Sequence, residues 1–264
     1  MTGTKVGPGV AGYCTQTFAV AAAETLKLRH DPMDLASRAV QPILWLVLFG
    51  QVMAHVHGLT GGKPYIDFLA PGVLAQSVLF VSIFYGLSAI WERDLGVLHR
   101  YMVSPAPRSA LVIGKAMASS IRGLSQALVI YACAALLGVK LSVQPMHIMG
   151  VLMITIIASA LFSSFSLIIA CLVKTRERFM GVGQFLTMPI FFASNAIYPV
   201  QLMPGWLRAI VGINPLSYEV DALRALMLDG GTSELGLGLD LGVLLAASAL
   251  CIAIATRLFP RLTE

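Results

Sequence analysis

A chain of 264 residues that is 57% hydrophobic and only 12% charged, with a mean hydropathy of +0.82, lacks the polar surface to cover a water-soluble globule. That excludes a soluble enzyme or binding domain and leaves an all-α membrane protein, read as a single transmembrane domain over 1–264. The formal net charge of +5 follows the membrane orientation argued below and does not point to nucleic acid.

Residues 1–17 are Gly-rich, contain Pro8 and read as a flexible tail without the apolar core of a signal peptide. Residues 18–30 (FAVAAAETLKLRH) are helix formers. Phe18, Ala22 and Leu26 fall on one side and Glu24 and Lys27 on another, which fits an N-terminal interfacial helix and equally the solvated start of the first span. Asp31-Pro32 then breaks it, because proline lacks an N–H and restricts its predecessor.

About 20 apolar residues cross a bilayer, and six runs are read as such spans: 39–53, 68–91, 109–139, 148–173, 179–198 and 241–256. His55, His57 and three glycines form the exit loop of the first. Pro189 is expected to kink the fifth. Residues 199–228 differ: Pro199, Pro204 and Pro215 interrupt an amphiphilic stretch too broken for a span and too apolar for a free loop. It reads as a re-entrant helical segment before the last span, since irregular backbone at membrane depth survives only when protein or a wet cavity surrounds it.

Lys and Arg set the orientation. One face collects Lys5, Lys27, Arg29, Arg38, Arg93, Arg100, Arg108, Lys115, Lys174, Arg176, Arg178, Arg257 and Arg261; the other collects Lys63, Lys140, Arg208 and Arg224. The excess places both termini in the cytoplasm, with which an even number of spans is consistent.

Enzyme signatures are missing. There is no H-E-x-x-H, no G-x-S-x-G and no phosphate-binding loop, and Gly114-Lys115 has the wrong flanks for one. The catalytic and metal assignments are therefore none, and the four cysteines show no metal spacing. Arg122 is the one ionisable group placed deep in a span. It is either a charge lining a path or a side chain that snorkels to the nearer surface. Thr155, Ser159, Ser163, Ser166 and Ala170 share one face of the fourth span, a pattern of close helix contact more often than of a permeation path.

The densest charge lies between the second and third spans. Glu92, Arg93, Asp94, His99, Arg100 and Arg108 accompany an apolar stripe of Leu95, Leu98 and Met102, with Pro105 and Pro107 as stops. The sequence Glu92-Arg93-Asp94-Leu95-Gly96, then Ser104-Pro105, then Gly114-Lys115, together with Asn214-Pro215-Leu216-Ser217-Tyr218 followed by Asp221 and Arg224, resembles the permease subunits of type-2 ABC exporters. The likeness runs over roughly residues 16–258 and its wording is closest to the drug-resistance branch.

The resemblance implies a permease, not itself an enzyme, in a bacterial inner membrane. It implies separate ATP-binding-cassette ATPase subunits as partners, with ATP and Mg held there and no cofactor here, and a second permease subunit, identical or related, with membrane lipids around both. Residues 92–108 would form a cytoplasmic coupling helix, with Glu92, Arg93, Asp94, Gly96, Leu98, Arg100, Ser104 and Pro105 meeting the ATPase. The second and fifth spans would line the path, and Phe80, Phe84, Arg122, Phe185, Phe191 and Asn195 are its candidate residues. Asn214, Pro215, Tyr218, Asp221 and Arg224 mark the re-entrant motif. The cargo is read as a lipophilic drug or lipid. A lipid-linked polysaccharide exporter of the same family, an ion-coupled secondary carrier and a membrane scaffold without transport are the alternatives.

Overall fold

The computed structural model describes residues 40–54, 64–96, 107–173 and 175–262, with Thr15, Thr17, Phe18, Ala21 and Ala22. The expected tail, most of the interfacial stretch, the 55–63 loop and the coupling residues Leu98, Arg100, Ser104 and Pro105 lie outside them.

Nine helices carry the described chain. They are α1 (Val40–Met53), α2 (Tyr65–Tyr85), α3 (Leu87–Asp94), α4 (Arg108–Leu136), α5 (Pro145–Leu172), α6 (Arg176–Phe192), α7 (Gly205–Ile213), α8 (Pro215–Met227) and α9 (Leu237–Leu258). Among the described residues there is no strand; a single bridge joins Leu141 to Leu228.

Among the described residues, four helical runs are long and apolar enough to cross a membrane: α2 with α3, α4, α5 and α9. The first of these is a 30-residue run from Tyr65 to Asp94, about 45 Å at 1.5 Å per residue. Of the six expected runs, the other two are shorter here. α1 is a short apolar helix containing a five-residue π-turn, Trp45–Phe49. α6 has 17 residues and begins on Arg176, Glu177 and Arg178, where Thr175 caps it by accepting from the Arg178 N–H at 3.3 Å. It stops at Phe192, short of the expected Tyr198, with Pro189 in its last turn. Proline lacks the N–H that would bond Phe185 O, and the ladder still runs on to a last bond from the Ala193 N–H to Pro189 O at 2.8 Å.

α5 sits at the centre, packed against α2, α4, α8 and α9. Its hydroxyl face is buried: Thr155, Ser159, Ser163 and Ser166 are all enclosed. Glycines opposite make this possible. A Cβ on Gly86 would lie 1.9 Å from Ser166 Oγ, and one on Gly123 2.2 Å from Ser159 Oγ. Close helix contact is thus what the face does, as small residues allow in membranes. The α2 face turned to the 193–199 link is equally tight, since a Cβ on Gly72 would meet Ala196 O at 2.3 Å.

The main core runs through Leu69, Val73, Ile130, Phe162, Leu216 and Val220. A second cluster around Ile90, Val112, Ala170, Phe179 and Phe259 closes the end that carries the charge island. α1 turns one side outward, with Val40, Leu44, Leu48 and Val52 exposed at four-residue spacing, while Leu46 on its other side is buried in the main core.

Candidate functional site

α2 and α3 form one rod broken at Gly86. The Gly86 N–H reaches Ile83 O at 3.2 Å, a three-residue contact, and Ser166 Oγ donates to that same carbonyl. The charge island begins where the rod ends. Lys115 Nζ donates to Glu92 Oε2 at 2.7 Å, with both side chains 7% exposed. The pair ties the last turn of α3 to the second turn of α4, so the two ends of the 92–115 stretch are fastened side by side. Burial makes this tie consequential, because each charge depends on the other for compensation.

Asp94, next on the chain, is shared. Arg93 donates to Oδ1 at 2.9 Å and Arg176 of α6 donates to Oδ2 at 2.9 Å. The Arg176 guanidinium also lies 4.4 Å from the Trp91 ring centre, a cation–π contact. Leu95 closes the helix, and Gly96 turns the chain with φ +70, the left-handed region that favours glycine after a helix end. The described part of the predicted coupling segment is therefore held by α4 and α6 at once. Leu95 itself is 71% exposed, an apolar side chain presented outward beside charges.

One layer deeper, Tyr85 lies between two cations. Arg122 stacks on its ring at 4.3 Å and Lys115 lies 5.9 Å from the ring centre. Arg122 is half-buried, and its Nη1 is enclosed without a hydrogen-bond partner among the described residues. It rests on an aromatic face.

The opposite end of the rod carries the second motif. Asn214 caps α8 by accepting from the Leu216 N–H at 3.0 Å, while its Nδ2 donates to Ile190 O at 2.7 Å and Ala193 O at 2.8 Å. Those are carbonyls of the last turn and C-cap of α6, which lack partners further along the helix. Pro215 follows at the first helical position, where its missing N–H costs nothing. Tyr218 donates to Gly212 O at 2.6 Å and secures α7. Arg224 reaches back to Asn195 O at 2.9 Å and stacks on Phe68 of α2 at 4.0 Å. Asp221 accepts from the N–H groups of Glu234 (3.1 Å) and Leu235 (2.9 Å) and from Ser233 Oγ (2.8 Å). Tyr65, at the start of α2, donates to Ile197 O at 2.6 Å. Asn214, Pro215, Tyr218, Asp221 and Arg224 thus form one clasp joining α2, α6, α7, α8 and the approach to α9.

The predicted path residues separate. Phe185 is 75% exposed on α6, whereas Phe191 is 1% exposed and packs edge-on against Trp45 at 6.1 Å. Asn195 is buried inside the clasp. Phe80 and Phe84 line a cleft beside α1. An apolar groove of about 590 Å³ lies between the end of α6 and α7, bordered by Pro189, Phe192, Tyr198, Trp206 and Ile210. Lys115, Arg176, Tyr85 and Ser233 were not singled out as site residues from the sequence. The sequence marks Arg176 only as an inward-facing cation and Lys115 as such a cation and as part of the Gly114-Lys115 motif, and no local pattern pairs them with Glu92 and Asp94. Among the described residues no group of three His, Cys, Asp or Glu is placed to hold a metal ion.

Comparison with known proteins follows the same outline. The chain is similar to the ycf38 protein of Cyanophora paradoxa, 29% identical over 206 residues, 76% of this chain and 70% of that one. It is similar to the daunorubicin resistance ABC transporter permease protein DrrB1 of Streptomyces coeruleorubidus, 25% identical over 237 residues, 90% of this chain and 82% of that one. Nodulation protein J of Rhizobium meliloti is 26% identical over 234 residues, 86% of each chain. The family model described as ABC-2 type transporter matches residues 15–228, which takes in both the charge island and the clasp. With that match spanning most of its length, the chain belongs to the ABC-2 type transporter family.

Proposed function

We propose that this chain is the membrane permease of an ATP-driven exporter that moves a lipophilic drug-like or lipid cargo out of a bacterial cytoplasm. Separate ATP-binding-cassette subunits dock on the 92–108 stretch from inside, and a second permease completes the path. Six crossings, by α1, α2 with α3, α4, α5, α6 and α9, keep both termini in the cytoplasm. The observation that carries the reading is the Glu92–Lys115 pair. A load applied to the 92–108 stretch reaches α3 and α4 together through a buried 2.7 Å contact, and reaches α6 through Asp94 and Arg176. A flexible loop would dissipate that load.

The drug-like cargo is supported by the resemblance to a permease named for daunorubicin resistance and by the apolar character of Phe80, Phe84 and Phe185. The test is vanadate-sensitive uptake of daunorubicin or of labelled phospholipid into inverted vesicles, with the permease co-expressed with a candidate ATP-binding-cassette ATPase. Uptake is expected with the wild-type chain and is expected to fall at least tenfold in Glu92→Gln. Uptake driven by an ion gradient without ATP, or no co-purifying ATPase, would overturn the proposal.

A further inference from the structure

Ser233, in the link between α8 and α9, has more partners than hydrogens. Its Oγ lies 2.8 Å from Asp221 Oδ2 and 3.0 Å from Asp240 Oδ2, and it accepts the Gly236 N–H at 2.6 Å. A hydroxyl has one hydrogen to give. With both carboxyls ionised, one of the two O···O contacts would hold no hydrogen, and two negative groups would face each other across it. Asp221 and Asp240 are both 0% exposed, so water does not make up the deficit. One further hydrogen, on one of the carboxyls, completes the chain. The backbone decides which. Asp221 accepts from the N–H of Glu234 at 3.1 Å and of Leu235 at 2.9 Å, bonds that favour the ionised form. Asp240 has no such donors, and its Oδ1 is enclosed without a hydrogen-bond partner. An ionised carboxylate left that way is costly.

We infer that Asp240 is protonated in this structure and gives its hydrogen to Ser233 Oγ, while Ser233 gives its own to Asp221 Oδ2, and that this chain is a pH-sensitive latch fastening the 229–236 link to the first turn of α9. The latch is closed while Asp240 holds its proton. When the proton leaves to solvent, Ser233 can serve only one of two like-charged groups, and the link parts from α9. The proton has a short way out, because Thr232, Glu234 and Leu235 of the link are exposed and Ser233 is half-buried. α9 packs against α5, α8 and α4. The other ionisable groups of that end are Glu219 and Arg224 on α8, Asp229 and Glu234 in the link, and Lys140 and His147 around the start of α5. Arg224 is spent on Asn195 O, Glu234 on Gln201 and His147 on Ser142, and among the described residues Ser233 is the group that the Asp240 carboxyl bonds. The latch lies at the end of the molecule opposite the Glu92–Lys115 pair and works without reference to cargo.

The experiment uses the full chain in lipid nanodiscs. Infrared spectra record the carbonyl band that a protonated carboxyl has and a carboxylate lacks. The difference between wild type and Asp240→Asn is expected to contain that band at about pH 5 and to have lost it by about pH 9. Asp240→Ala is expected to give the same difference, so the reading does not depend on one variant folding. The latch itself is read by hydrogen–deuterium exchange of residues 229–236, each variant being compared with wild type at the same pH. Asp240→Asn keeps an N–H for Ser233 at every pH. It is expected to exchange like wild type at about pH 5 and about tenfold more slowly than wild type at about pH 9, where wild type has lost its hydrogen. Asp240→Ala offers Ser233 no hydrogen and is expected to exchange faster than wild type at about pH 5. Three results would each overturn the inference: no Asp240-dependent carbonyl band at the lower pH, a band that survives at the higher one, or equal exchange of wild type and Asp240→Asn there. Neither cargo nor ATPase enters the measurement, so failure here leaves the permease reading standing.

Discussion

Glu92 and Lys115 are opposite charges almost withdrawn from solvent, and their value lies in being paired. Removing one partner of a buried pair leaves an uncompensated charge, a loss of about 3–5 kcal/mol. Glu92→Gln and Lys115→Met are each expected to lower stability by that order, and the double variant by much less than their sum, in a double-mutant cycle of thermal unfolding in detergent. Arg176 is the contrast. Its contact with Asp94 joins side chains 38% and 34% exposed, and such pairs contribute about 0–1 kcal/mol. Arg176→Gln is therefore expected to unfold close to wild type, so any loss of transport it causes reports on load transfer. Asn214 allows a sharper contrast. At an ordinary helix start Asp substitutes well for Asn, but here Nδ2 donates to two carbonyls. Asn214→Asp would turn those donors into an oxygen facing two oxygens. It is expected to melt lower than Asn214→Ala, the reverse of what a simple cap would show.

At the level of helices, the glycines on α2 carry different kinds of contact. Gly86 faces a side chain and Gly72 faces backbone, with added Cβ atoms 1.9 Å from Ser166 Oγ and 2.3 Å from Ala196 O respectively. Overpacking of this kind costs about 1–3 kcal/mol. Gly86→Ala is expected to be partly relieved by Ser166→Ala, whereas no side-chain substitution at 196 relieves Gly72→Ala. Melting temperatures of the four variants decide the point. This is also where the limits of sequence reading lie. The hydroxyl face of α5 was visible as a spacing, and close contact was its favoured meaning. The glycines that receive it sit on α2 and α4 without any periodic mark, so the partners stayed hidden. The helix of the fifth expected run ends at Phe192, six residues before Tyr198, and the uncharged run continues past that point with nothing to mark the stop. The motif from Asn214 to Arg224 was readable as a unit, yet its targets, Ile190, Ala193, Asn195 and Phe68, come from distant segments that only the fold brings together.

For the whole molecule, the proposed orientation puts the charge island inside and the clasp outside, about 45 Å apart along one rod. Both sides offer exposed residues to test it. A cysteine at Asp229, in the turn after α8, is expected to react with an impermeant maleimide added to intact cells. One at Glu177, at the start of α6, should react only after permeabilisation. The opposite pattern would invert the orientation and place the coupling stretch on the wrong side. The proposed orientation comes from residue counts alone, since it depends on where cations fall and not on any contact between side chains. The arrangement of helices around α5 was not legible, because α2 and α5 are apolar on nearly every side and their patterns do not say which faces meet.

The central place of α5 has a consequence for how the protein is made. The hydroxyl that caps Ile83 belongs to Ser166, 83 residues later, and the carbonyl that receives Tyr65 belongs to Ile197, 132 residues later. At roughly 5–20 residues per second of synthesis, α2 waits on the order of ten seconds in the membrane before its far-end partner exists. Through that interval its glycine faces at Gly72 and Gly86 have no protein surface to meet. The nascent helix must be sheltered by lipid or by the insertion machinery until α5 and the clasp arrive, so a ribosome stalled between α4 and α5 would leave a half-built membrane domain for quality control to clear.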